Sequence, residues 1–290
     1  MDSKKEKKDS FLVAYKNTIN DLDLRDFKEI DLDYLVWLCG KMRDQKDNSV
    51  TVSWSEIRTV TLKHNDKQAA LKDILTMNDK LAMSFRIYVG KDGKIYQGSM
   101  FSFVTDPKKE TVAISVNQGF LDLLNDYGIG GYTRFEWAEY VSLRGKYSKA
   151  LYRLIRQYNN NDKKTGVSSF TLDMDGIRSK MGIPQSCPNY RIFTKFVAPS
   201  VKALEGFFPD LHCEAQYGTG TGRPLKGFRF SWKKVIEVKA TEAVTQPQRA
   251  LQKPQSKSKN RFNNFSQRVY SADEMNALES ALLKADSGEE

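Results

Sequence analysis

Three groups of cations in this 290-residue chain have the residue types and spacing to hold a polyanion. Lys146, Lys149, Arg153 and Arg156 recur at three- and four-residue intervals, so a helix would carry them as one stripe opposite Leu143, Tyr147, Ala150, Leu151, Leu154 and Tyr158. A charged stripe is ordinarily a solvated face laced with acids. Here no acid stands between Glu139 and Asp162, which favours phosphate contact. The second group is Arg191, Lys195 and Lys202, which project together, with Thr194 intermediate, from a helix whose inner face reads as Tyr190, Phe193, Val197, Val201, Leu204 and Phe208. Arg or Lys against guanine edges, and Thr against a thymine methyl, are contacts by which a helix reads bases in the major groove. An ordinary basic surface helix is the plainer alternative. The third group, Arg223 and Lys226, flanks the glycine-rich segment Gly218-Thr-Gly-Thr-Gly-Arg-Pro224. That segment lacks the Gly-Lys-Ser/Thr of a nucleotide loop and runs into a strand, so it reads as a wing tip set for backbone or minor-groove contact.

Charge is distributed to match. Residues 134–239 hold 19 Lys+Arg against 9 Asp+Glu, whereas 1–133 carry 20 of each and 240–290 carry 7 of each, so the net charge of +10 belongs to one module between neutral flanks. Such a surplus suits a nucleic acid. If about six to eight phosphates are neutralised, log affinity falls against log salt with a slope of about −5 to −7. Catalysis finds no support: His64 and His212 are the only histidines, no Ser-His-Asp or Cys-His arrangement occurs, and the His-x-His pair of a nicking enzyme is missing. No catalytic residue, metal or cofactor is therefore expected. Cys39, Cys187 and Cys213, an odd set without CxxC spacing, read as reduced thiols. No apolar run approaches the roughly 18 residues of a membrane span, and the mixed-charge start has no signal-peptide core, so the expectation is a cytoplasmic protein without a membrane partner.

The elements that would position these groups occur in one order, twice. Apolar spacing predicts a helix over 31–44, a strand at 50–53, a short helix over 55–60 and a longer one capped by Asn65 and running to Leu81. Alternating runs follow at 83–89, 94–104 and 111–116, with turns at Lys91-Asp92-Gly93 and Asp106-Pro107. The second pass has a helix over 140–158, a polar loop at 159–166 and a strand at 170–172. A small helix follows, capped by Asp173 with Ile177 and Met181 inward, and ended by Gly182 and Pro184. Then come a helix over 189–208 kinked at Pro199, and a hairpin of 211–217 with 224–232. Helix, strand, helix, helix, hairpin is the order of a winged helix.

The expected fold is thus α+β: tandem winged-helix domains with a disordered basic linker and a short C-terminal amphipathic helix. Its divisions are a charged flexible arm at 1–9, an N-terminal winged helix at 10–130 suited to dimerisation and secondary DNA contact, a C-terminal winged helix at 131–239 as main DNA reader, and a linker at 240–261. The remainder, 262–290, carries Phe262, Phe265 and Tyr270 and sets Leu278 and Leu282 on one face of a short helix. It reads either as a peptide that docks on a partner or as a frayed tail touching its own domain.

Leu143-Arg-Gly-Lys-Tyr-Ser-Lys-Ala-Leu-Tyr-Arg-Leu-Ile155, Tyr190 and Phe193 opening the next long helix, and Gly222-Arg223 before Phe228-Arg-Phe-Ser231 resemble the initiator replication proteins of iteron-type theta plasmids. The likeness is strongest over 134–232. It implies two winged helices that bind direct repeats in double-stranded origin DNA, open the duplex and recruit a host helicase or its loader. Dimers would repress their own promoter and monomers would initiate. Carried onto this chain, the resemblance implies base reading by Arg191, Thr194 and Lys195, phosphate contact by the 146–156 stripe and wing contact near Arg223. Two positions depart from the family: Gly145 stands where Ser is frequent, and Thr194-Lys195-Phe196 replaces a run of arginines. The segment 263–270 also resembles C-terminal tails of some Gram-positive replication proteins, which points 262–290 toward host replication machinery. The rival readings are a winged-helix transcriptional repressor and a DNA-nicking replication enzyme.

Overall fold

The structure is a computed structural model that describes residues 11–45, 48–61, 66–84, 88–90, 92–125, 131–159, 166–219 and 222–233. The arm at 1–9, Asn65, the linker and the 262–290 tail with Phe262, Phe265, Tyr270, Leu278 and Leu282 lie outside the described residues.

The first pass opens with strand Leu12–Lys16 (β1) and a 3-10 turn at Asn17–Asp21, then helix Glu29–Met42 (α1). Asp31 in the first turn of α1 accepts the Lys28 backbone N–H at 2.5 Å, satisfying a donor that the helix leaves open. Strand Ser49–Ser53 (β2) leads into Trp54–Thr59 (α2), where the Ser53 hydroxyl accepts the Glu56 N–H at 3.1 Å. Helix Lys67–Ser84 (α3) is capped by Asp66, whose carboxylate accepts the N–H groups of Gln68 and Ala69. A small hairpin, Tyr88–Val89 (β3) with Ile95–Tyr96 (β4), precedes the wing strands Phe101–Asp106 (β5) and Thr111–Val116 (β6) and the short helix Asp122–Asn125 (α4).

The second pass has strand Tyr132–Glu136 (β7), helices Trp137–Ser142 (α5) and Lys146–Tyr158 (α6), strand Val167–Asp173 (β8) and helix Met174–Met181 (α7). A helix in three parts follows: Asn189–Ile192 (α8), a π-helical turn at Phe193–Val197, and Ala198–Leu204 (α9). Strands His212–Tyr217 (β9) and Leu225–Lys233 (β10) form the second wing. The sheets are ordered β2-β6-β5 and β8-β10-β9, so in each pass the leading strand pairs with the last. The repeat read from element order is a repeat of topology, and both halves are winged helices.

Boundaries differ from expectation where glycine or helix intervenes. The run expected from 83 begins as the last turn of α3. The run expected over 94–104 is divided, with Gly98 at φ +124° between β4 and β5. The single helix expected over 140–158 breaks at Leu143-Arg-Gly145, where Gly145 takes φ +90° and starts α6 afresh. Strands β1 and β7 pair antiparallel, Leu12 against Glu136 through Lys16 against Tyr132, so a division at 130 would separate two strands of one sheet. Among the described residues, no helix is long and apolar enough to cross a membrane.

The stripe on α6 is the main correction. Two of its cations, Lys149 and Arg153, are buried against residues that stand far earlier in the chain, and Lys146 and Arg156 are half-buried and bonded within the protein. The Lys149 side chain is 2% exposed, is ion-paired with Asp33 of α1 and lies 3.7 Å from Glu29. Arg153, 2% exposed, donates from Nε to the Tyr15 hydroxyl at 3.0 Å and from Nη2 to the Ile19 carbonyl at 2.9 Å. Arg156 pairs with Glu139 and donates to the Tyr152 hydroxyl at 3.0 Å, and its guanidinium lies over the Phe208 ring. Lys146 donates to the carbonyls of Arg25 and Gly182 at 3.2 and 2.9 Å, and burial pushes its ammonium down to about 8. Lys149 and Arg153 are closed to phosphate, and Lys146 and Arg156 have their donors committed within the protein.

A buried relay continues from Arg153. Burial pushes the Tyr15 phenol up to about 12, so it keeps its proton, accepts from Arg153 and donates to Asn20 at 3.1 Å. Asn20 donates in turn to Thr133 on β7 and to Gln157 on α6. A buried cation without its partner is costly, and so is a carboxylate left behind in the same place. Lys149→Met should therefore destabilise the fold by about 3–5 kcal/mol in urea unfolding, because the buried Asp33 loses the ammonium that faces it. Adding Asp33→Leu should recover most of that loss, and an additive double variant would refute the pairing.

Candidate nucleic-acid interface

A helix-turn-helix geometry is built around Arg178. Asp173 caps α7 by accepting the Gly176 N–H at 2.6 Å, and Gly182 ends it in the left-handed region at φ +70°. A Cβ at Gly182 would meet the Leu24 carbonyl and Lys146, so the turn requires glycine on steric as well as dihedral grounds. The Arg178 guanidinium then spans the turn, donating to the carbonyls of Pro184 and Cys187 at 2.7 and 2.6 Å and to the Asn189 side chain at 2.7 Å. One buried side chain thus fixes both the turn and the first residue of α8. Sequence reasoning missed it because an arginine among Ile177 and Met181 looks like an exposed position on a short helix.

Arg191, Thr194, Lys195 and Lys202 are all exposed on α8, the π turn and α9, as their spacing predicts. The inner face is different from the expected one. Ile192, Phe196, Val197, Ser200 and Leu204 are buried, while Tyr190 is 72% and Phe193 38% exposed. The expected kink at Pro199 takes the form of the wide turn at Phe193–Val197. Pro199 falls in the first turn of the resumed α-helix, where a missing N–H is tolerated. Inside, Phe196 packs on Tyr147 of α6 with ring centroids 4.6 Å apart, tying the reading helix to the buried stripe.

The wing stands beside this helix. The Gly218 N–H donates to the Pro224 carbonyl at 2.8 Å, closing the base of the tip, and Arg223 lies beyond it with φ +38° and its guanidinium over the Tyr217 ring. Arg223 and Lys226 are exposed. Among the described residues no ion pair engages Arg191, Lys195, Lys202, Arg223 or Lys226. Between helix and wing runs a groove of about 760 Å³ lined by Tyr190, Phe193, Thr194, Tyr217, Leu225 and Phe228 among others, none of them acidic.

The corresponding helix of the first pass offers less. On α3, Lys67 pairs with Glu110 and Lys80 with Asp31, whereas Lys72 is exposed. His212 is exposed on β9, 3.7 Å from Glu214, and no group of three or more His, Cys, Asp or Glu side chains among the described residues is placed to hold a metal ion.

Residues 12–156 match the family described as Initiator Replication protein, WH1, a span that runs from β1 through β7 and most of α6. A probable replication protein rep of Bifidobacterium longum (strain NCC 2705) is 33% identical over 152 residues, which is 52% of this chain and 51% of the relative. The chain thus spans about half the length of that relative. A solved structure of the Pi initiator protein in complex with iteron DNA has the same fold, with a TM-score of 0.55 at 12% identity, covering 78% of this chain and 98% of that one.

Removing the guanidinium that spans the turn should loosen the start of the reading helix. Arg178→Met is expected to cost about 2–4 kcal/mol in denaturant unfolding, since three acceptors lose their donor. Amide hydrogen exchange should accelerate over 184–195 more than over α6.

Proposed function

The chain belongs to the initiator replication protein family, and we propose from that membership that it initiates plasmid replication by binding repeated sites in double-stranded origin DNA. The observation that carries this reading is the pairing of an exposed Arg191, Thr194 and Lys195 on a helix in helix-turn-helix position with an exposed Arg223 and Lys226 on the adjoining wing. All four cations stand clear of acidic partners among the described residues, so their charge is available to a polyanion. The Pi initiator, which shares the fold, was solved on iteron DNA.

In this reading the second winged helix is the main reader, and the first supports dimerisation and a secondary contact through Lys72. Arg191, Thr194 and Lys195 meet base edges, Lys202 meets phosphate, and Arg223 with Lys226 holds the backbone or minor groove. The bound protein helps recruit a host helicase or its loader, with 262–290 as the docking segment. Dimers repress the gene's own promoter and exchange with initiating monomers. No residue is assigned a catalytic role, and the protein acts in the bacterial cytoplasm on plasmid DNA.

The withdrawal of the α6 stripe lowers the electrostatic expectation. With Lys72, Lys202, Arg223 and Lys226 as the exposed phosphate candidates, log affinity should fall against log salt with a slope of about −3 to −4 in place of −5 to −7. Lys195→Ala should weaken binding to the repeats by about 1–3 kcal/mol in a fluorescence anisotropy titration and change random-duplex binding little. Equal loss on both DNAs would remove its base-reading role.

A plasmid carrying the DNA that flanks the gene should replicate in a host without another initiator only when this chain is supplied. Repression of the promoter without replication would favour the repressor, and a site-specific nick in supercoiled origin DNA with Mg²⁺ or Mn²⁺ would favour the nicking enzyme. Deleting 262–290 should spare binding to the repeats and abolish plasmid maintenance.

A further inference from the structure

The proposed DNA-reading face is not uniformly cationic. Tyr190, Phe193 and Thr194 stand at i, i+3 and i+4, which places them together on the flank of the reading helix that faces the wing. Tyr190 is 72% and Phe193 38% exposed, and Phe193 is stacked on Phe228 of β10 with centroids 6.1 Å apart. Arg191 and Lys195 border this strip on the helix, and Arg223 and Lys226 border it on the wing. Large aromatic side chains left in water among cations lose hydrophobic stabilisation unless a ligand covers them.

Resting on the reading that this helix enters the major groove, we propose that the Tyr190–Phe193–Thr194 strip recognises thymine C5-methyl groups and so selects repeats with thymine beside the backbone that the wing holds. The surrounding charge selects a polyanion as the occupant, and the lining of the groove contains no acid to oppose one. Within the major groove of duplex DNA, the thymine methyl is the apolar group that base edges present; every other edge offers hydrogen-bond donors or acceptors. The methyl projects toward the rim of the groove, beside its own strand's backbone. A helix flank turned toward a backbone-holding wing is where such a methyl would lie. Tyr190 and Phe193 would shed water against it, while Arg191 and Lys195 at the centre of the exposed face take polar edges.

The test uses the full chain and two duplexes of the gene-flanking repeat DNA, amplified with dTTP or with dUTP, so that every thymine methyl is removed while base pairing is kept. Wild-type protein should bind the uracil duplex more weakly, by roughly fourfold for each methyl it covers. For Tyr190→Ala, and for Phe193→Ala where it folds, the ratio between the duplexes should shrink toward one. Equal wild-type affinity for both duplexes overturns the proposal, as does an unchanged ratio in Tyr190→Ala, which would assign the difference to DNA shape. If Tyr190→Ala binds both DNAs like wild type but loses self-association in sedimentation, the strip is a protein contact and the proposal fails. Absence of any preference for the repeats over random duplex would instead remove the function itself.

Discussion

Everything in the second half of this chain hangs on a helix whose charges have been taken out of water. An ammonium and a guanidinium in a low-dielectric interior are tolerated only if acids and carbonyls meet them at hydrogen-bonding distance. On α6 those partners are Asp33 and Glu29 of α1 and the Tyr15 hydroxyl and Ile19 carbonyl at the start of the chain. The arrangement ties the first winged helix to α6 through named pairs, since Lys149 meets α1 while Arg153 meets β1 and the 3-10 turn after it. Phe196 then packs on Tyr147 of α6, so the reading helix takes its position from the same buried element.

Burial of that stripe also sharpens the surface. The positive surplus of residues 134–239 is a property of the sequence, but Lys149 is met by Asp33 and Lys180 by Asp21, acids of the nominally neutral first half, and Arg156 by Glu139 of its own half. Arg191, Lys195 and Lys202 face water on the helix after the turn, and Arg223 and Lys226 face water on the wing beside it. There the charges are interleaved with aromatic rings, and the two kinds of side chain do different work. On the proposed reading, cations supply reach and orientation toward phosphate, whereas an apolar strip discriminates between edges that carry the same charge.

The fold was legible because both passes obey local rules. Ser53 and Asp173 cap helices, Gly182 ends one, and alternating apolar residues set the wings, all within windows of a few residues. The exposure of Arg191, Thr194 and Lys195 was legible for the same reason, since it follows from helical spacing alone. What a local rule could not reach was partnership across the chain. No acid stands three or four residues from Lys149, and its partner Asp33 lies 116 residues earlier. Tyr190 and Phe193 were placed inside because aromatic residues usually are. The π turn and Pro199 rotate the helix register, so Ile192 and Phe196 occupy the core in their place. The 262–290 segment stands outside the described residues.

The pairing of α6 with the beginning of the chain sets an order of events during synthesis. As the ribosome delivers residues 12–42, Asp33 and the Tyr15–Asn20 pair emerge without the cations that will meet them, and β1 emerges without β7. They must wait until residue 158 has left the exit tunnel, well over a hundred residues later, before the first winged helix can close. Such distant contacts are slow to form and leave apolar surface open meanwhile. A nascent chain interrupted before α6 would therefore carry nearly all of the first module's sequence and little of its stability, so the growing protein would fold its two halves together and late.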